Sequence, residues 1–237
     1  MGKINFTITI IFSTVFSSGL VMANEKLANE VIYRTEAELS KYFGKKLSKP
    51  IHLYYKKEQS EEKKKWPTSW GPEKDRFGLG LHDDFSLEKT WWNMNGVDEA
   101  MLRNASLEQK YTLTLTHEMA HIFMFPTPLK AWFQEAVAMN IGKEIALRLD
   151  PTLEQFFPNT FPPTKITELQ KYTYQMISKD EQACKKLQLS AMGLASRFSQ
   201  SQILDWIKAN RPKGYNPLDD NRENEVIEKT LINSMPK

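Results

Sequence analysis

Cysteine is nearly absent. Cys184 is the only one in 237 residues, so no disulfide can close within the chain and the hydrophobic core must hold the fold. No cysteine stands near the N-terminal leader, which leaves a lipid-anchored form without its attachment point. A surplus of charge is missing as well: 32 basic and 29 acidic residues give a formal net charge of +3, which argues against nucleic acid or an anionic membrane as a dedicated partner. Repeats and Pro/Ser-rich linkers are lacking too, so residues 24–237 read as one domain with enough chain for a sizeable core. Histidine is scarce, with four in the chain and none after His121.

What is present begins with a leader. Lys3 supplies positive charge, Ile4 to Met22 is uncharged, and Val21-Met22-Ala23 offers short side chains before Asn24. Residues 1–23 therefore read as a signal peptide that sends the protein to a secreted or periplasmic location, with no stable membrane association after cleavage. The Thr, Ser and Asn content of the uncharged run argues against a retained anchor.

The strongest chemical signal is His117-Glu118-Met119-Ala120-His121. A helical turn takes about 3.6 residues, so side chains at i and i+4 leave one face and two imidazoles can meet one zinc ion. Glu118 stands beside that pair, where it would act as general base on a water at the ion's open position. Ser106 followed by Gln109 forms a capping box, which starts a helix over 107–125, and Pro126 stops it. Leu113, Leu115, Met119 and Ile122 surround the histidines with apolar side chains.

Catalytic zinc needs a third protein donor. Thr127-Pro128 caps a second helix that runs from Leu129 to about Leu149, where Asp150-Pro151 ends it. Near its start stands Glu135, the favoured third ligand, with Ala136 and Ala138 small enough for a close approach of the two helices. Glu144 is the rival. A metzincin would require glycine at position 124 and histidine at 127; Met124 and Thr127 exclude that class.

The run Thr116-His117-Glu118-Met119-Ala120-His121, followed by Trp132-Phe133-Gln134-Glu135-Ala136-Val137-Ala138, resembles the gluzincin core of thermolysin-like zinc metallopeptidases, and within them the small peptidase MA-like group. The resemblance covers about Leu107 to Ile145. It implies zinc held by His117, His121 and Glu135, with Glu118 as general base, and an α+β fold: a mainly helical zincin-like domain with a small N-terminal sheet and the metal site between two adjacent helices. It further implies a peptide or protein substrate, with Phe77 to His82 either the edge strand that binds it or an ordinary hairpin strand, and a downstream oxyanion-stabilising group, for which Tyr172, Tyr174 and Tyr215 are the candidates. Two positions depart from the pattern. Ala136 stands where glycine is usual, and Asn140, where an aromatic is common, has either a ligand-orienting role or a solvent-facing one.

The remaining segments are expected as an amphipathic helix over 27–43 stopped by Gly44, strands at Ile51–Tyr55 and Phe77–His82, a charged loop at 56–65, and helices over 187–198 and 203–209 before a polar C-terminal helix. His82-Asp83-Asp84 reads as a strand-ending turn. Two other functions fit the motif: a non-catalytic binding protein with a structural zinc site, and a zinc amidase acting on cell-wall peptides. Oligomeric state has no signature in the chain.

Overall fold

The computed structural model describes residues 5–56, 68–82, 99–125, 131–162, 169 and 181–209. Within them the chain is mainly helical with one small sheet, an α+β arrangement. Helix α1 spans Asn5–Phe43, so the expected helix over 27–43 is the C-terminal part of a longer one. Nothing in Val21 to Lys26 breaks a helix, since neither proline nor glycine stands there. Ala28, Val31, Ile32, Leu39, Tyr42 and Phe43 recur at helical spacing and are buried. Gly44 ends the helix at φ +61° in a Schellman arrangement, with Gly44 N–H donating to Lys41 C=O and Lys45 N–H to Ser40 C=O. No helix among the described residues is long and apolar enough to cross a membrane.

Three strands form the sheet: β1 (Ile51–Lys56), β2 (Thr68–Pro72) and β3 (Phe77–His82), in the order β1-β3-β2. Strand β3 pairs in parallel with β1, Ile51 opposite Phe77, and antiparallel with β2, Pro72 opposite Phe77. Its alternation works as expected: Phe77, Leu79 and Leu81 are buried in the core. Its expected role as a substrate-binding edge is overturned, because neighbours on both sides already use its backbone groups. The sequence gives no clear sign of β2, whose Gly71 and Pro72 argue against a strand; they are tolerated because β2 lies at the edge of the sheet.

The short helix α2 (Glu99–Asn104) precedes α3 (Leu107–Met124), and α4 (Ala131–Leu149) follows. Helix α3 starts as the capping box requires: Ser106 Oγ accepts from Gln109 N–H at 3.1 Å, and Gln109 Oε1 accepts from Ser106 N–H at 2.9 Å. From Tyr111 to Met124 every side chain is buried, so this helix is wrapped on all sides by α1, α4 and β2. The hydroxyls of Thr112 and Thr116 turn back to the carbonyls of Glu108 and Thr112 at 2.8 Å, which lets them sit inside without an external partner. The expected stop at Pro126 and cap at Thr127-Pro128 lie outside the described residues.

A 3-10 turn at Pro151–Phe156 ends α4, with Asp150 Oδ1 accepting from Thr152 N–H. Leu153, Phe156 and Phe157 pack on Leu113 and Ala146 in a second small core. Helices α5 (Glu181–Ala195) and α6 (Gln200–Ala209) close the described chain. Helix α5 begins earlier than the expected Leu187 and gives way to a turn before Phe198. Helix α6 begins earlier than Ile203 because Ser199 and Gln202 form a second capping box, a Ser-x-x-Gln signal present in the sequence. Of the charged loop expected at 56–65, Lys56 is the last residue of β1 and the rest lies outside the described residues, as does the C-terminal helix.

Candidate metal centre

Helices α3 and α4 touch along their lengths, and the closeness of that contact has a visible cause. A Cβ added at Gly142 would lie 3.0 Å from both the Cα and the backbone nitrogen of His117. Only glycine allows this approach without a backbone shift. Ala136 and Ala138, expected to permit it, are fully buried, and Gly142 meets the backbone of α3. The sequence carried this signal as an isolated glycine inside a helical pattern.

At this crossing three donors converge. His117 and His121 leave α3 one turn apart with their Nε2 atoms 3.1 Å from each other. Glu135 comes from α4, its Oε2 at 3.3 Å from His117 Nε2 and its Oε1 at 3.4 Å from His121 Nε2. The three are 2%, 3% and 8% exposed, and they form a group able to hold a metal ion. Two ligands at about 2.05 Å from a tetrahedral zinc lie about 3.3–3.4 Å apart, close to the separation of the two imidazole nitrogens and to that of each from its nearer Glu135 oxygen. Two imidazole nitrogens and a carboxylate are also a donor set that zinc accepts.

Burial would by itself raise the Glu135 carboxyl. The facing charge of His121 and hydrogen bonds from both histidines outweigh it and hold the group well below the usual carboxylate range. For His121, burial pulls downward; the charge and hydrogen bond of Glu135, with a contribution from Glu118, raise it above its ordinary value. A cation in this group is therefore electrostatically favoured, whether it is a proton or a metal.

Glu118 is 7% exposed on the same helix and close enough for its charge to act on His121. Glu144 stands elsewhere: it is half-exposed and paired with Arg148, which also approaches Glu38 of α1. Asn140 is partly buried, and its Nδ2 donates to the Met192 carbonyl at 3.1 Å, which ties α4 to α5. Gln134, which the sequence did not single out, brings its amide to 3.4 Å from His121 Nδ1. Tyr172, Tyr174 and Tyr215 lie outside the described residues, as do Asp83 and Asp84. Comparison with protein-family models, with curated proteins and with solved structures finds no match to the chain, so the donors themselves carry the functional reading.

Proposed function

We propose that this chain is an exported zinc metallopeptidase with a zincin-like domain, in which His117, His121 and Glu135 hold zinc and Glu118 serves as general base. The observation that carries the reading is the buried triangle of two imidazoles and a carboxylate next to a second buried carboxylate that is not one of its corners. When bound, zinc supplies Lewis acidity, which polarises a carbonyl and lowers the pKa of a water towards ~7.

The residues divide the rest of the work. Glu118 takes the proton of the attacking water and returns it to the leaving amine, a double use that suits a carboxylate held close to but outside the ligand set. Burial of all four side chains keeps bulk water from competing for their protons. Strand β2 is an edge strand packed against α3, and it takes over the substrate-binding role first expected of β3: an extended peptide would add to the edge that pairs with no strand among the described residues.

Zinc content and hydrolysis of a proteome-derived peptide library by the purified chain test the reading together. The expected result is about one zinc per chain, lost in Glu135→Gln, with cleavage that requires the metal. Loaded protein that cleaves nothing would favour the structural-zinc alternative, and cleavage confined to cell-wall peptide amides would move the substrate class.

A further inference from the structure

We propose that Gln134 is the positioning residue of His121, and that an amide at this place satisfies the ring both with and without its metal; the inference rests on the metal-centre reading above. The His121 ring is approached at both nitrogens. Its Nε2 faces His117 Nε2 at 3.1 Å and Glu135 Oε1 at 3.4 Å, and its Nδ1 lies 3.4 Å from the amide nitrogen of Gln134. Gln134 and Glu135 are consecutive on α4, so the segment that supplies a donor atom to the metal group also holds the far side of the imidazole.

The two states of the ring place opposite demands on that partner. An imidazole that gives its Nε2 lone pair to an ion carries its hydrogen on Nδ1 and needs an acceptor there. Gln134 meets this need with its carbonyl oxygen. Without the ion, a neutral ring with its hydrogen on Nε2 toward Glu135 has Nδ1 as an acceptor, which the amide NH2 group satisfies, and a protonated ring donates from Nδ1 to the amide oxygen. Turning the amide plane over switches between the two, a choice open to neither a carboxylate, which only accepts, nor an apolar side chain. Gln134 is half-buried, so water competes only partly for these bonds.

Zinc release to a chelator and the absorption spectrum of the cobalt-substituted protein, compared among wild type, Gln134→Leu and Gln134→Glu, test the assignment. Gln134→Leu should weaken metal binding by about 10–100-fold and shift the cobalt spectrum, because the ring loses the amide at its Nδ1. Gln134→Glu has the same reach and still accepts from Nδ1–H, so it should restore wild-type retention. Circular dichroism of the metal-free proteins checks that all three fold. A leucine variant with wild-type release and spectrum would overturn the proposal, as would a glutamate variant as weak as leucine. A wild type that takes up neither zinc nor cobalt would overturn the metal-centre reading itself, a result distinct from both.

Discussion

The α3–α4 pair and the three-stranded sheet each contain a glycine at a point of tight internal contact, yet the atoms facing the two glycines differ in kind. Gly142 faces backbone of α3 at His117 and Thr116, whereas Gly78 on β3 faces the carboxylate end of Glu73 and the ring of Tyr54. Backbone of a buried helix cannot step aside; the end of a side chain can. The metal donors sit at the first kind of contact, where positions are fixed by hydrogen-bonded main chain, and the sheet is built on the second. A rigid crossing suits a constellation whose ligand spacing must be held to within about 0.5 Å.

The most severe test of that division removes chemistry and leaves the crossing intact. Glu118→Gln keeps size and polarity while deleting the charge that would activate water, so hydrolysis should fall about 10²–10⁴-fold with zinc content unchanged and the fold preserved. Unaltered hydrolysis by the zinc-loaded variant would remove Glu118 from its assigned role.

Acid and base should then act on the helix pair of the metal-free protein and leave the sheet indifferent. The depressed Glu135 carboxyl contributes stability above its unfolded value of 4.5, lost as pH falls through the lower folded value. The raised His121 contributes below its unfolded value of 6.5, and that contribution is lost as pH rises through the higher folded one. Both are present together between these limits, so the metal-free form should be most stable near pH 4.5–6.5, with losses on either side on the order of a few kcal/mol at most. Denaturant melts across pH check this, and a flat profile would show that the pair does not form without metal.

Much of this arrangement was legible because it rests on local rules. The capping box at Ser106, the i, i+4 histidines and the Gly44 stop each depend on a few adjacent residues, and the structure has all three. What the sequence hid depends on distant partners. Strand β2 exists only because β3 offers it an open edge, and β3 lost its expected edge position for the same reason. Asn140 likewise required the Met192 carbonyl of a helix that comes much later in the chain.

The glycine comparison itself predicts two smaller effects of opposite character. In Gly142→Ala the new methyl would press on His117 backbone at 3.0 Å. Overpacking of this kind costs about 1–3 kcal/mol, partly offset by the ~1 kcal/mol that alanine gains over glycine in a helix. Net destabilisation with weaker zinc retention is expected, because the atoms displaced belong to a ligand. A melting temperature at or above wild type, with zinc retained, would show that the helices are less tightly seated than their spacing implies.

Gly78→Ala should be the mildest change. Its methyl meets Glu73 Oε1 inside contact distance and Tyr54 Cε1 at 3.3 Å. Glu73 is half-exposed and can swing away, at the cost of its 2.6 Å pair with Arg76, itself half-exposed. An ion pair this open to solvent contributes little, and alanine recovers about 0.5–1 kcal/mol of the entropy that glycine loses in a strand. The two terms nearly cancel, so stability should stay within about 0.5 kcal/mol of wild type and zinc retention should not move. A loss as large as that of Gly142→Ala would mean that Glu73 is held as firmly as helix backbone, and the distinction between a fixed crossing and a yielding sheet would fail at the sheet.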